Sequence, residues 1–347
     1  MTVLVSGASG RVGANMVKRL VDDGRTVTSL VMPGDPQAAK LAELPRVRIA
    51  EADLGDQAAI DSACIGVTQV VHLAAQLIRG DTPVDRFYDV NALGTLRLLE
   101  GALRHGKQLE RFVLVSTDGT YRPGEPPAVP LAEDTVQVPA DYYGTSKLLG
   151  EVILRNHAAQ FDIPFSIVRF ATVMSPDEAP RMFQVGKWRD SLGKARRGRD
   201  SNIWQLFRKH PELPKLFEDA VAGAADDDAV CLTGPDGAPW TTHVCDVRDA
   251  VQGVYRALTE PAGAEGGAYN IAAPDPTSHE EGAAVLAEAY GRQVHTVTLP
   301  IRWRLELDIS AARRDLGFEP RYDYRAMVDS AGAGELADRD AFIPARI

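Results

Sequence analysis

The sequence predicts an α/β fold, a doubly wound parallel sheet with a smaller, mostly C-terminal α/β region attached. Three observations carry that expectation. Short apolar runs alternate with amphipathic stretches through the first half of the chain, a glycine-rich turn joins the first run to the first stretch, and the alternation loosens after residue 175. Alternation of this kind forces parallel strands with helices covering both faces.

The strand candidates are Thr2 to Ser6, Thr26 to Val31, Val47 to Ala50, Gln69 to Leu73, Arg111 to Ser116 and Phe165 to Arg169, all short and rich in Val, Ile or Leu. Val12 to Asp23 and Val90 to His105 space apolar residues three and four apart, as helices packed on a sheet must. The run ending at Leu73 leads into Ala74-Ala75, small residues that let a ligand approach the carboxyl edge of a strand. Residues 177–230 read mainly as helices and loops, with a cationic stretch and the acidic triplet Asp226-Asp227-Asp228. Helical stretches near Asp246 to Leu258 and Ser278 to Tyr290 flank an extended Ala268 to Ile271, and weak periodicity from Gly332 onward suggests a peripheral tail.

Composition narrows the class. The chain has 347 residues, 45% hydrophobic and 25% charged, ample for a buried core. No apolar run reaches the ~18 residues of a bilayer span. Lys and Arg number 38 against 48 Asp and Glu, and a net charge of −10 disfavours nucleic-acid binding. Cys64, Cys231 and Cys245 match neither a disulfide framework nor a zinc knuckle, which fits a reducing, cytoplasmic compartment. The N-terminus opens directly on a strand pattern, with no signal or transit peptide expected. The seven histidines are scattered, so no metal site is expected; His72 and His243 read as satisfied polar groups.

Gly7-Ala8-Ser9-Gly10-Arg11-Val12-Gly13 follows the first strand and opens the first helix. Glycine permits a tight turn and close backbone approach to a pyrophosphate, and the helix N-terminus supplies free N–H groups and a positive dipole. The spacing is G-x-x-G-x-x-G. At the end of the second strand, where a carboxylate takes the ribose 2′-hydroxyl of NAD or an arginine the 2′-phosphate of NADP, stands Met32; Asp35 lies beyond a Pro-Gly turn as a solvated residue. NAD is favoured, with Arg11 keeping NADP open. Asp53-Leu54 is placed to cap the adenine amine, or Asp53 to N-cap a helix starting near Gln57.

Tyr143 and Lys147 stand four residues apart, on one helical face. A tyrosine titrates near 10, and an ammonium plus a positive nicotinamide ring favour its phenolate. Alone, such a pair is commonly a surface pair. With the glycine loop, and with Thr117 just past the fifth strand on the ligand edge, it becomes a catalytic candidate.

Gly7, Gly10 and Gly13, Asp53-Leu54, Leu73-Ala74-Ala75, Asn91, Thr117, and Tyr143 with Lys147 resemble in that order the extended short-chain dehydrogenase/reductase superfamily, in its NAD-dependent epimerase/dehydratase branch. His243 to Ala250, Tyr269-Asn270-Ile271 and Ala312 to Pro320 continue the resemblance, which is weak across 177–230. The resemblance implies a Rossmann-type dinucleotide-binding domain over 1–175, with 240–260 packing back on it, a substrate-binding region over 176–330 and a tail over 331–347. It implies Tyr143 as general acid or base, Lys147 holding the nicotinamide ribose and lowering the tyrosine pKa, Thr117 bonding the reacting oxygen, and Asn91 bending its helix within the relay. Cofactor contacts implied are Gly7, Ser9, Gly10, Arg11, Val12, Gly13, Asp53, Leu54, Leu73, Ala74, Ala75, Asn91, Ser116, Tyr143, Lys147 and Phe170. A homodimer through helices 91–105 and 143–160 is implied as well.

Two departures shape the function. Thr117-Asp118 resembles the start of the Thr-Asp-Glu triplet of sugar-nucleotide dehydratases, but Gly119 replaces the glutamate, which ranks dehydration below dehydrogenation or epimerisation; Asp118 is an acid or a turn residue. Nucleotide-sugar enzymes of the branch carry a diphosphate-gripping arginine shortly before the His243 stretch, where this chain has Pro239-Trp240-Thr241-Thr242. Lys187, Arg189, Lys194, Arg196, Arg197 and Arg199 read as a solvated helix face, or as cations reaching the cleft; Trp188, Trp204 and Phe207 stack on a ligand or pack. The leading expectation is an NAD-linked oxidoreductase or epimerase acting on a secondary hydroxyl of a sugar or nucleotide sugar. The alternatives are a reductase or dehydrogenase of a non-sugar alcohol or ketone, and a non-catalytic dinucleotide-sensing protein.

Overall fold

The computed structural model describes residues 1–78, 82–197, 208–332 and 342–344. Six strands arise in the first half: β1 (Thr2–Ser6), β2 (Thr26–Val31), β3 (Val47–Glu51), β4 (Gln69–His72), β5 (Arg111–Thr117) and β6 (Phe165–Phe170). The helices between them are α1 (Arg11–Asp22), α2 (Gln57–Cys64), α3 (Val84–Tyr88), α4 (Gly94–His105) and α5 (Tyr142–Phe161). The second half adds β7 (Thr172–Met174), α6 (Val185–Arg197), α7 (Leu213–Ala220), β8 (Ala229–Thr233), β9 (Thr241–Thr242), β10 (Val244–Asp246), α8 (Val247–Thr259) and β11 (Glu265–Ile271). After these come β12 (Thr277–Ser278), α9 (His279–Tyr290), β13 (Val294–Thr298), α10 (Ser310–Leu316) and α11 (Tyr324–Gly332).

The main sheet has seven parallel strands in the order β3-β2-β1-β4-β5-β6-β11. The order reverses between β1 and β4, so the crevice at their carboxyl ends is the ligand-binding switch point of a doubly wound sheet. Strand alternation explains why both faces are covered. Val3 and Val5 face the layer of α1 and α8, whereas Leu4, Val70 and Leu114 face that of α2, α4 and α5. The helix expected over Val90 to His105 begins differently: Asp89–Leu93 forms one wide π turn before α4 starts at Gly94.

The 240–260 segment returns to the main sheet as α8. Its Tyr255 hydroxyl donates to Asp23 of the α1 C-cap at 2.9 Å, and the Arg19 guanidinium lies 4.3 Å from the Tyr255 ring centroid. A smaller region is built on the β8–β13 pair, with α9 and α11 packed around Phe183, Leu286 and Tyr324. Beside it Trp188, Trp240 and Trp303 pack edge and face around His279. The segment after β5 is tied to this region through the backbone, Arg304 N donating to Gly124 O and Leu131 N to Glu306 O.

The chain's end departs from the peripheral tail expected of it. Phe342 and Ile343 are buried, and Asn15 of α1 exchanges two hydrogen bonds with the Ile343 backbone, Nδ2 to O at 2.9 Å and N to Oδ1 at 2.8 Å. Two apolar side chains suffice to dock a segment whose periodicity is too short to read. Each member of the acidic triplet has a partner: Asp226 pairs with Arg189, Asp227 with Arg292 and Asp228 with His295. Among the described residues no helix is long and apolar enough to cross a membrane, and Cys64, Cys231 and Cys245 are buried, free thiols.

Candidate active site

The cradle at the switch point is built by absence of side chains. Gly7 has φ +66°, and a Cβ there would stand 2.8 Å from Ala74 N on the neighbouring strand end; a Cβ on Gly13 would stand 2.1 Å from Gly7 O. Leu73, Ala74 and Ala75 thus wall the loop closely. Gly10 N-caps α1 without a side-chain cap, which leaves first-turn N–H groups for an anion. Val12 packs partly on the core behind the loop.

Two expectations about nucleotide choice change. Asp35 is not solvated: Ser9 Oγ donates to its Oδ2 at 2.5 Å and Gln37 N to its Oδ1 at 2.9 Å, so the Pro-Gly turn folds the carboxylate back onto the glycine loop. Arg11, the residue that kept NADP open, is turned away, its guanidinium bonded to Val173 O at 2.8 Å and paired with Glu178. The strand end therefore presents a carboxylate, as a ribose with a free 2′-hydroxyl requires, with the half-buried Lys40 close enough to feel its charge.

Asp53 does not cap the next helix. The N-cap of α2 is Asp56, whose carboxylate accepts from Ala59 N. Burial pushes the Asp53 carboxyl up, but Arg86 Nη2 at 2.5 Å and Gly55 N together bring it below its ordinary value. Leu54 is buried beneath Gly94, where a Cβ would meet it at 3.0 Å.

Opposite the cradle stand the phenol and the ammonium. Thr117 is the last residue of β5 rather than the residue after it, and its Oγ1 donates to Asp118 Oδ1 at 3.0 Å and accepts from Gly119 N. Asp141 N-caps α5 through Gly144 N at 2.7 Å, which sets Tyr143 in the first turn and Lys147 one turn on. Gly144 lets the helix touch the Asp118–Thr120 turn, since a Cβ would fall 2.1 Å from Gly119 O. The protein's own groups do not favour the phenolate. Burial, then the carboxylates of Asp118 and Asp141, push the Tyr143 phenol well above its usual value, and a hydrogen bond with Thr117 only partly opposes them. Burial brings Lys147 down to about 8 against the pull of Glu151, and lifts Asp118 to about 6.

A polar chain underlies these groups. Asn91, in the π turn, accepts from Gln76 N at 2.7 Å and donates to Gln76 O and to Ser146 Oγ; Ser146 in turn donates to Tyr143 O. His72 is bonded at both ring nitrogens, to Ser6 Oγ at 2.7 Å and Thr95 Oγ1 at 3.2 Å, and burial with the Lys147 charge keeps it neutral. Ser116 Oγ donates to Glu151, which also receives Arg169. Phe170 ends β6, buried and in register with Thr117 and Ile271.

Gln76, Arg86, Glu151 and Arg169 belong to this constellation without carrying a motif. Only Glu151 has a sequence signal, its place four residues beyond Lys147 on the same helical face. The cationic stretch is mostly structural where described: Lys187 bonds Ser191, and Arg189 pairs with Glu218. Trp188 packs against Trp240. The side chains of Lys194, Arg196 and Arg197, and Arg199, Trp204 and Phe207 entirely, lie outside the described residues.

The model of the NAD dependent epimerase/dehydratase family matches residues 3–272. A probable UDP-arabinose 4-epimerase 3 of Arabidopsis thaliana is 28% identical over 338 residues, covering 92% of this chain and 77% of its own. The UDP-glucose 4-epimerase of Mycolicibacterium smegmatis is 29% identical over 335 residues, 92% of this chain and 94% of its own. The crystal structure of a short-chain dehydrogenase/reductase superfamily protein from Agrobacterium tumefaciens, with bound NAD, superimposes with a TM-score of 0.80 at 25% identity, covering 98% and 99% of the two chains.

Proposed function

Since the chain belongs to the NAD dependent epimerase/dehydratase family, we propose that it is an NAD-dependent oxidoreductase or epimerase that acts on a secondary hydroxyl of a sugar, free or nucleotide-linked, with Tyr143 moving the hydroxyl proton. The observation that carries this reading is the meeting of Thr117, Tyr143 and Lys147, at the carboxyl end of β5 and the first turns of α5, with a glycine cradle across the switch point. The named relatives act, by their names, on UDP-arabinose and UDP-glucose at C4.

The residues fit NAD. Gly7, Gly10 and Gly13 would leave backbone N–H groups for the pyrophosphate, Ser9 with Asp35 would take the adenosine ribose, Asp53 the adenine, and Lys147 the nicotinamide ribose. Bound NAD accepts or returns the hydride and brings a positive ring beside the phenol. Tyr143, whose phenol holds its proton firmly among Asp118 and Asp141, would give that proton to the reacting oxygen in reduction and take it back in oxidation, with Thr117 steadying the same oxygen. Asp118 bonds Thr117 and orients it. Gly119 offers no base for elimination, which favours oxidation or epimerisation over dehydration.

The domain division runs at about residue 175, with α8 returning to the first half. Leu149 and Val152 on α5 and Leu93 ahead of α4 are exposed apolar groups on the two helices expected to meet in a homodimer. Three free thiols fit a reducing cytoplasm.

The test is turnover of UDP-galactose and UDP-glucose, and of free sugars with NAD, by wild type and Tyr143→Phe. The substitution should lower kcat about 10²- to 10⁴-fold with NAD retained; unchanged turnover would refute the role.

A further inference from the structure

Asp118 is a partly buried carboxyl with no cation to answer it. Among the described residues it forms no ion pair, and the bonds it accepts come from the Thr117 hydroxyl at 3.0 Å and from Gly119 N. A carboxylate drawn out of water without a counter-charge is costly. The titratable groups that face it are Asp141, ahead of α5, and the Tyr143 phenol on α5, and neither offsets its charge. The Lys147 charge is felt instead by Glu151 and His72. The two carboxylates differ in what holds them. Asp141 is committed to the start of α5, accepting from Gly144 N at 2.7 Å and from Tyr143 N, whereas Asp118 meets a side-chain hydroxyl that can exchange its proton.

Thr117 joins this carboxyl to the phenol. Its Oγ1 donates to Asp118 Oδ1 and is hydrogen-bonded to Tyr143, so phenol, hydroxyl and carboxyl make one connected line. The line is held in place by the backbone around it. Gly119 N donates to Thr117 Oγ1 at 3.1 Å, the Thr120 hydroxyl donates to Thr117 O at 2.9 Å, and Gly144 lets α5 touch the same turn. The phenol needs such an outlet, because a tyrosine that keeps its own proton can take another only if the first one leaves.

We propose that Asp118 is the proton store behind Tyr143, filled and emptied through the Thr117 hydroxyl. The inference rests on the oxidoreductase or epimerase function proposed above. In oxidation the substrate O–H bond breaks and its proton goes to the phenol oxygen, the phenol proton passes to Thr117, and the Thr117 proton passes to Asp118. The electron pair of the substrate C–H bond leaves as hydride for the nicotinamide, and a C=O bond forms. Phenol and hydroxyl end as they began, and a neutral carboxyl is left where a carboxylate stood. Thr117 thus acts on the reacting oxygen through the phenol. Reduction runs the same transfers backwards, and an epimerase returns the stored proton within one turnover. Burial, and then the Asp141 charge, lift Asp118 to about 6 against its bonds to Thr117 and Gly119, so at neutral pH the store is ionised yet takes a proton more readily than an ordinary carboxylate.

Asp118→Asn, Thr117→Val and Thr117→Ser test the store, with Tyr143→Phe as reference. Wild-type turnover, followed with the free sugar or UDP-sugar that the protein accepts, should fall as the pH drops through about 6 and level off above it. Asp118→Asn and Thr117→Val should lose at least tenfold in kcat at neutral pH, and their rates should climb steadily into the alkaline range, because the phenol must then shed its proton to water. Thr117→Ser should restore the wild-type profile. A second measurement needs neither sugar nor NAD. Infrared difference spectra should show a carboxyl C=O band that titrates near 6 in wild type and is missing from Asp118→Asn; in Thr117→Val its midpoint should rise, since the Thr117 bond lowers it. A pH profile of Asp118→Asn parallel to that of wild type, or a band that Thr117→Val leaves in place, would overturn the store. With Tyr143→Phe inactive, that result leaves the function proposed above standing. A band that moves as expected, in a protein that turns over no sugar, would support the link from Thr117 to Asp118 while sinking the sugar reading.

Discussion

Arg169 and Glu151 form a doubly bonded ion pair inside the protein, Nη2 to Oε2 at 2.8 Å and Nε to Oε1 at 3.1 Å, with side chains 2% and 1% exposed. Ser116 and Gln137 donate to the same carboxylate, and Arg169 reaches on to Tyr121 and Glu133 O. The pair thus joins the end of β5, the helix of Tyr143 and the segment that follows β5. Removing one partner leaves a buried charge uncompensated. Glu151→Gln should cost about 3–5 kcal/mol, measured by urea unfolding. It should also lower the Lys147 pKa further, because Glu151 is the charge that raises it. Stability within 1 kcal/mol of wild type would mean that Arg169 finds another anion.

Gly144 and Gly193 make a contrast. A Cβ on Gly144 would sit 2.1 Å from Gly119 O and 3.1 Å from Pro139, whereas one on Gly193 meets nothing within 4 Å. Gly144→Ala should destabilise by about 1–3 kcal/mol through overpacking and depress kcat by moving Tyr143 off the Thr117 turn. Gly193→Ala, within α6, should stabilise by about 0.5–1 kcal/mol. Thermal unfolding of the two variants side by side checks both signs.

Asp35, folded back on Ser9, is expected to choose the cofactor. Asp35→Ala removes the charge that would oppose a 2′-phosphate and the acceptor for a 2′-hydroxyl. The ratio of NADP to NAD affinity should rise about tenfold or more, one hydrogen bond to a charged group being worth about 1.5–3 kcal/mol. An unchanged ratio, read by nicotinamide fluorescence titration, would put the selection elsewhere.

Acid stability should bend near pH 6. His243 Nδ1 accepts from Leu307 N at 3.0 Å and its Nε2 meets Ala273 O at 3.0 Å, so the neutral ring satisfies both neighbours. Burial takes it down to about 4, against the pull of Ala273 O, Asp275 and Glu306, and takes His279 to about 3. Between the ordinary 6.5 and those values the unfolded chain binds the protons, so stability falls with falling pH, about 1.4 kcal/mol per unit for His243. Asp118 and Asp249, lifted first by burial to about 6, act with the opposite sign, since below pH 6 the folded state keeps their protons. The decline should therefore be steep from pH 6.5 to 6 and shallower below. A urea series across pH 7 to 4.5 with a single uniform slope would contradict this.

The sheet could be read from the sequence because each strand is a short branched-apolar run with a clear end, and β1 and β2 keep their expected limits to the residue. The places of the glycine turn, Thr117, Tyr143 and Lys147 in the fold are equally legible, since each stands at a junction that the strand and helix patterns define. What could not be read is what long-range partners decide. Asp35 meets Ser9 only because a Pro-Gly turn folds back, Arg11 finds Glu178 far along the chain, and Asp56 outcompetes Asp53 for the α2 cap by one turn of geometry. The groups that raise the Tyr143 phenol are hidden for the same reason: burial, and then the carboxylates of Asp118 and Asp141, reach it through folding, not through spacing.

The two hydrogen bonds between Asn15 and the Ile343 backbone have a practical corollary. They latch the chain's far end onto the helix that springs from the nucleotide cradle, so a fusion or cleavage after residue 332 works at a distance on the first helix. Preparations clipped there should melt earlier and grip NAD less well.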